Sequence, residues 1–474
     1  MTILDKIVSR RRERLKIEGA AEGVEIPVYR KVPIVRFDVG PMVICEIKRG
    51  SPSRGFIKKD ADPTETSDGY VKSGVRHISV LTEPEFFFGS LTDLMLVKEK
   101  HPYAAVLRKD FLLTMEDIDV SYRAGADAVL LIAAVLDEKQ LADMYRHAAN
   151  YGMKSLVEVH TVEEVEKVRK LKPELVGINA RDLASFTIDG FTPFQVAEAV
   201  DWECSLVFES GIKNTADIGA VFTGGFDGVL IGETMMKNPA LTALAVQNAK
   251  QDPVYSFWSK VYKQRRKDRP LVKICGITNR EDAEKAKTLG ADMLGFVFAE
   301  SKRKVSAELV RLLQDLDIIK IGVVVSGPQG VLPPDVQELV EENALDAVQF
   351  HGNEDPDCLA VKQFAWYKAQ RFQKKEEADK AQVFSHFRTL VDAYVKDQAG
   401  GTGRQVSPEI VSAVQQRGPL WLAGGLGPDI IKKVIEKHKP ELIDASSRLE
   451  ASPGKKDHKL LEKYFEEIIH AEYV

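Results

Sequence analysis

The sequence predicts an α/β protein made of two consecutive (β/α)8 barrels of the TIM type. Three observations carry that reading. The chain has 474 residues, too many for one ordinary core. Short runs rich in Val, Ile and Leu recur along it, nearly continuous as in parallel strands buried on both faces. Helix-like stretches separate these runs, and the alternation finishes and then restarts near residue 270. The expected boundaries are 1–252 for a first barrel with an N-terminal helical extension, 253–269 for a connecting helix, and 270–474 for a second barrel.

Composition narrows the class. At 44% hydrophobic and 29% charged residues the chain reads as a soluble globular protein. A net charge of −5 argues against nucleic acid as partner. No apolar run approaches the ~20 residues of a membrane span, and the N-terminus lacks a signal peptide's apolar core. The four cysteines, Cys45, Cys204, Cys275 and Cys358, fall singly. That pattern suits a reducing cytoplasm and gives no support for a metal. Cys45, Cys204 and Cys358 read as ordinary small apolar residues.

Residues 1–40 begin with an amphipathic helix, on which Arg10-Arg11-Arg12-Glu13-Arg14 is expected to form a solvated face. The strand-like runs of the first half are Met42–Ile47, His77–Leu81, Ala104–Leu107, Ala126–Ile132, Ser155–Val159, Leu175–Ile178, Ser205–Phe208 and Gly228–Ile231. Helical patterns such as Glu138–Ala149 and Val162–Leu171 lie between them. A doubly wound sheet is the rival arrangement, but no Gly-x-Gly-x-x-Gly follows the first run.

Barrels of this type build their active sites where strands end and βα loops begin. In the first half those positions hold Glu46, Lys48, Ser51, Lys109, Glu158, Asn179, Arg181, Glu209, Ser210, Gly211, Gly232 and Thr234. One strand-end lysine would be an ordinary solvated residue, whereas so many ionisable groups on one rim are not. Small residues after the last two strands sit where such barrels commonly hold a phosphate.

These positions carry a resemblance. Glu-Ile-Lys-Arg-Gly-Ser-Pro-Ser from Glu46, Arg-Lys-Asp-Phe from Arg108, Gly-Ile-Asn-Ala-Arg-Asp-Leu from Gly177 and Glu-Ser-Gly-Ile from Glu209 resemble indole-3-glycerol-phosphate synthases. The likeness runs over about residues 40–245 in motif order and spacing. It implies ring closure on 1-(2-carboxyphenylamino)-1-deoxyribulose 5-phosphate with loss of CO2 and water, without a cofactor. By resemblance Lys109 is the acid at the ribulose carbonyl, Glu158 the matching carboxylate, and Lys48 and Glu46 flank the reacting centre. The order of proton transfers among Lys48, Lys109 and Glu158 stays open. Asn179 and Arg181 would orient the anthranilate part, a planar guanidinium suiting a carboxylate. Glu209 would hold a ribulose hydroxyl. Ser51, Gly211, Gly232 and Thr234 would take the phosphate, with Ser210 among the binding residues and Ser53 a weaker candidate.

Tyr255–Arg269 is polar and basic, with Trp258 and Tyr262 at i, i+4 spacing, and is expected to be a helix docked through its aromatics. The runs then resume as Leu271–Ile274, Met293–Phe298, Lys320–Val325, Ala347–Phe350, Trp366–Gln370, Leu390–Ala393, Leu420–Ala423 and Leu442–Asp444. Their polar ends differ from the first set, so the repeat is one of architecture alone. They hold Cys275, Arg303, Gln349, His351, Asp392, Gly401, Gly403, Gly424, Gly425, Ser446 and Ser447. The late glycines and serines again make a phosphate cradle.

Lys-Ile-Cys-Gly-Ile-Thr from Lys273, Val-Gln-Phe-His-Gly-Asn-Glu from Val348, Gly-Gly-Thr-Gly from Gly400 and Asp-Ala-Ser-Ser from Asp444 resemble phosphoribosylanthranilate isomerases, over about residues 270–474. The resemblance implies an Amadori rearrangement in which Asp392 protonates the ring oxygen and Cys275 removes the C2′ proton, a task for a thiol whose pKa is lowered towards neutrality. Arg303 would bind the anthranilate carboxylate, and His351 reads as a loop anchor. The rival barrels of histidine biosynthesis use paired aspartates at strand ends, which these ends do not display. Together the halves predict a bifunctional enzyme acting on phosphosugar–anthranilate substrates, cytoplasmic and monomeric. The alternative is one active barrel with the other a phosphosugar-binding scaffold.

Overall fold

The structure, a computed structural model, describes residues 2–37, 40–52, 55–182, 187–250, 257–385, 387–392 and 406–473. The chain forms two compact units, one of Met1–Ile212 and Val221–Asp252 and one of Lys213–Ala220 and Pro253–Val474. Among the described residues no helix is long and apolar enough to cross a membrane.

The first barrel closes through eight parallel strands: β1 (Met42–Ile47), β2 (His77–Leu81), β3 (Ala105–Lys109), β4 (Ala128–Ile132), β5 (Lys154–Val159), β6 (Leu175–Asn179), β7 (Ser205–Glu209) and β8 (Gly228–Ile231). Closure occurs at β1, where Ile44 stands opposite His77 of β2 and Leu230 of β8. Met42, Ile44, Leu107, Leu130, Leu156, Leu175, Val207 and Leu230 form one buried cluster with Phe37 inside the ring. Side chains alternate across a strand, so residues two and four further on share that inner face. Glu46, Lys109, Glu158, Asn179, Glu209 and Gly232 are therefore stacked above an apolar floor by parity alone.

The helices between strands start and stop on local signals. Thr114 and Asp117 form a capping box, and Gly125 ends the same helix in the left-handed region at φ 102°. The helical pattern expected over Val162–Leu171 stops at Val168. The N-terminal helix, Ile3–Glu18, starts on a Thr2–Asp5 capping box. Its basic run is not a uniformly solvated face. Arg11 is fully buried, lying 2.6 Å from Glu22 and paired with Asp117. Arg14 is 2.8 Å from both Glu22 and Glu83. Buried guanidinium groups need such partners, because their desolvation is otherwise uncompensated.

The second barrel closes through β9 (Leu271–Cys275), β10 (Met293–Val297), β11 (Ile319–Val324), β12 (Ala347–Phe350), β13 (Trp366–Arg371), β14 (Leu390–Asp392), β15 (Trp421–Ala423) and β16 (Leu442–Ala445). Val272, Ile274, Leu294, Phe296, Val348, Val391 and Ile443 pack outward with helix residues such as Ala286, Val310, Ile435 and Phe465. The alternate positions face inward, and several of them are polar. Lys273 Nζ lies 2.6 Å from Asp444 and 2.6 Å from Gln349, whose amide oxygen also accepts from the Tyr367 hydroxyl at 2.8 Å. The helix Phe257–Gln264 crosses the opening from which these strands start. Trp258 is buried there, stacked on Phe387 at 5.4 Å and near Trp421. Phe257 rather than Tyr262 supplies the second buried ring, while Tyr262 is half-buried with Arg265 over its face.

Candidate active sites at the two barrel mouths

In the first barrel, β3, β5 and β7 bring three ionisable groups into contact. Lys109 Nζ lies 3.0 Å from Glu158 and 2.9 Å from Glu209. From β1, Glu46 accepts Lys48 Nζ at 2.8 Å. Gly232 at the end of β8 leaves the space both need: a Cβ there would sit 2.4 Å from Glu46 Oε1 and 2.8 Å from Lys48 Nζ. Gly177 plays the same part for Glu209, whose Oε1 would be 2.0 Å from a Cβ on β6. A side chain at either place would have to displace these groups from their present positions.

The electrostatics of this cluster separate its members. Burial alone would lower Lys109, but Glu158, Glu209 and Glu46 together outweigh it and hold the ammonium above its ordinary range. Burial pushes Glu158 up, yet Lys109 and His160 hold it well below the usual carboxylate range. Glu209 is pushed up to about 8, by burial first and by the charge of Glu158, which Lys109 offsets only in part. The trio thus joins an ammonium to two carboxyl groups of opposite tendency, Glu158 towards the carboxylate and Glu209 towards the protonated form. Two carboxyl groups with opposite shifts are what acid–base chemistry requires.

His160 completes this cluster and was missed by sequence reading. Its Nε2 lies 3.2 Å from Glu158 and its Nδ1 3.1 Å from Glu164, and these contacts outweigh burial to raise it to about 10. The signal was present: His160 follows Glu158 by two residues and so shares its face.

Asn179 ends β6, and its Oδ1 accepts the Arg181 N–H at 3.1 Å. Ser210 and Gly211 both adopt left-handed backbone, at φ 68° and 83°. Such a conformation is strained for serine and clusters at ligand-binding positions. Thr234 donates to the Ile212 carbonyl, tying the loop after β7 to the short helix after β8. Ser51 lies in a two-residue ribbon with Gly55. Ser53 lies outside the described residues.

In the second barrel one cavity of about 480 Å³ is lined by Cys275, Arg303, Gln349, His351, Asp392, Gly424, Gly425, Ser446 and Ser447. Every described position singled out there by sequence lines this cavity; Gly401 and Gly403 lie outside the described residues. His351 Nε2 is 3.2 Å from Asp392 Oδ2. Gly424 and Gly425 are both left-handed, at φ 93° and 63°.

Two findings correct the sequence reading. The cavity does contain a pair of aspartates, Asp392 on β14 and Asp444 on β16. Asp444 was passed over because it closes an apolar run, and it is paired with Lys273 rather than standing alone. The Cys275 thiol is also not lowered. Burial pushes it up, and Lys273 and Lys456 recover only part of that effect. Arg303 lines the same cavity, with its Nε and Nη2 held by Glu450 at 2.8 and 2.9 Å.

Comparison with known proteins follows the same division. Residues 9–247 match the family described as indole-3-glycerol phosphate synthase, and residues 272–467 match that described as N-(5′-phosphoribosyl)anthranilate isomerase. A multifunctional tryptophan biosynthesis protein of Schizosaccharomyces pombe is 31% identical over 88% of this chain and 58% of its own length. The chain thus spans under two thirds of that relative. A tryptophan biosynthesis protein of Phytophthora nicotianae is 30% identical over 86% of this chain and 87% of its own. An indole-3-glycerol phosphate synthase of Desulfotalea psychrophila is 41% identical over 50% of this chain and 94% of its own.

Proposed function

The chain belongs to the family in which an indole-3-glycerol phosphate synthase precedes a phosphoribosylanthranilate isomerase, and on that premise we propose that it catalyses both reactions of tryptophan biosynthesis. The observation that carries the proposal is that each barrel mouth holds a complete acid–base set: Lys109 between Glu158 and Glu209 in one, Cys275 with Asp392 in one cavity in the other.

The second barrel acts first. N-(5-phosphoribosyl)anthranilate binds with its phosphate at Gly424, Gly425, Ser446 and Ser447 and its carboxylate at Arg303. The carboxyl of Asp392 gives its proton to the ring oxygen as the C1′–O bond breaks, and the anthranilate nitrogen lone pair forms the iminium. Cys275 then takes the C2′ proton, and the resulting enol relaxes to the aminoketose. The thiol's high pKa is compatible with this step, because a cationic iminium acidifies that carbon and Lys273 and Lys456 stabilise the thiolate.

The first barrel consumes that product. The aromatic carbon bearing the carboxylate attacks the ribulose carbonyl while the Lys109 ammonium delivers a proton to its oxygen. Loss of CO2 restores the ring. The new hydroxyl then takes a proton from the ammonium of Lys48, which is paired with Glu46, and leaves as water while Glu158 takes the remaining ring proton. Glu209, bearing its proton, donates to a ribulose hydroxyl. Asn179 and Arg181 hold the anthranilate side, and Ser51, Ser210, Gly211, Gly232 and Thr234 the phosphate.

The test is a single progress curve. Given N-(5-phosphoribosyl)anthranilate alone, the purified chain should accumulate the aminoketose briefly and end at indole-3-glycerol phosphate. A curve that stops at the aminoketose, or never leaves the starting material, contradicts a bifunctional chain.

A further inference from the structure

A short hairpin follows β16, pairing Glu450–Ser452 with Lys455–Lys456. It ends on a lysine whose side chain is fully buried. Burying an ammonium is unfavourable without compensation, so its partners show what the position is for. Lys456 Nζ donates to the Cys275 carbonyl at 2.7 Å, to Glu450 Oε1 at 3.1 Å and to the Ser446 carbonyl at 3.3 Å. These three groups belong to three parts of the chain: the end of β9 and the residue after β16, which both line the cavity, and the hairpin itself.

The contact with Glu450 reaches further. Glu450 also accepts both Nε and Nη2 of Arg303, at 2.8 and 2.9 Å. Arg303 in turn crosses the backbone directly after Cys275. Gly276 has φ +76°, and a Cβ there would sit 2.8 Å from Arg303 Cδ. An unbroken series of contacts therefore runs from Arg303 through Glu450 and Lys456 to Cys275. Lys456 is itself fixed, since its N–H donates at 2.9 Å to Asp282, a buried residue on the helix after β9. Thr278 also donates to the Gly454 carbonyl in the tip of the hairpin.

We propose that Lys456 is a positioning residue of the isomerase site, a buried ammonium that holds the Cys275 end of β9 and the Glu450–Arg303 pair in one fixed register. The inference rests on the isomerase reading of the second barrel. It explains why the hairpin is bonded to the first strand's lip rather than left as a solvated turn. The charged and titratable groups acting on the Cys275 thiol are Lys273 and Asp444 inside the barrel, Lys456 in the hairpin, Arg303 after β10 and Tyr367 on β13. Removing Lys456 deletes one cation from that set and one tie from the strand end.

The experiment compares Lys456→Met, Lys456→Arg and Glu450→Gln with wild type. It reads isomerase kcat and KM, synthase kcat, and the pH profile of Cys275 alkylation resolved by peptide mass. Lys456→Met should lower isomerase kcat/KM about 10- to 100-fold, as small misplacements of reacting groups do. It should also move Cys275 alkylation to higher pH while synthase kcat is unchanged. Lys456→Arg should recover part of both effects. Glu450→Gln should raise isomerase KM more than it lowers kcat. Wild-type rates and a wild-type alkylation profile in Lys456→Met overturn the proposal. If Lys456→Met fails to fold, an unchanged KM in Glu450→Gln overturns it instead. Absence of isomerase activity in wild type, or its survival in Cys275→Ala, would sink the underlying reading rather than this one.

Discussion

The two barrels share a scaffold and differ in what lies beneath the mouth. In the first, the layer under the reacting groups is apolar, built of Met42, Ile44, Leu107, Leu130, Leu156, Val207 and Leu230, and charge is confined to the lip. In the second, the corresponding inward positions include Lys273, Gln349, Tyr367 and Asp444, bonded to one another below Cys275. An apolar floor penalises ionisation, which is how Glu209 comes to keep its proton to about 8 beside an ionised Glu158. An ionic floor supplies cations to a group that must become an anion, as Lys273 does for Cys275. The same fold thus surrounds its mouth residues with an apolar floor in one barrel and an ionic one in the other.

The comparison can be broken first at the acid of the second barrel. Asp392→Asn should lower isomerisation by about 10²- to 10⁴-fold, the usual worth of a positioned proton donor. Indole-forming activity in the same molecule should not change, and steady-state assays of both reactions check this.

The floors themselves can be tested through stability. Lys273→Met leaves Asp444 buried without its partner, and such breakage costs about 3–5 kcal/mol. Urea unfolding should show the second barrel losing that much while the first is unaffected. A smaller version of this experiment lies in the N-terminal helix. Arg11→Met should destabilise the first barrel, because Glu22 and Asp117 lose a buried counter-charge, whereas Arg12→Ala should leave the unfolding midpoint in place.

The gentlest contrast is in pH. Glu209 carries its proton below about 8 and loses it above, so synthase kcat/KM should fall as pH rises through that value. Glu209→Gln, which can donate but not titrate, should flatten that limb. The Cys275 thiol stands above its ordinary range, so its thiolate fraction, and with it isomerase kcat/KM, should rise across the alkaline range. Parallel profiles for the two reactions would contradict the contrast.

Much of this was legible in the sequence because it is local. Strand runs and their ends depend on residues a few positions apart, and the β1 run Met42–Ile47 was read to the residue. The inward parity that stacks Glu46, Lys109, Glu158 and Glu209 follows from the same alternation. Long-range pairing was not legible. Arg11 meets Asp117 across 106 positions, and Arg303 meets Glu450 across 147. No local pattern distinguishes a buried arginine from a solvated one on a short basic helix. The raised Cys275 thiol could not be anticipated for a related reason: it depends on how completely the strand end is buried, which only packing decides. The role of Lys456 likewise depends on three contacts that only the folded hairpin assembles.

The central claim is that one chain carries two independent active sites, and a crossed pair of variants tests it most directly. Lys109→Ala should abolish indole-3-glycerol phosphate formation and leave isomerisation at the wild-type rate. Cys275→Ala should do the reverse. Loss of both activities in either variant would contradict the account.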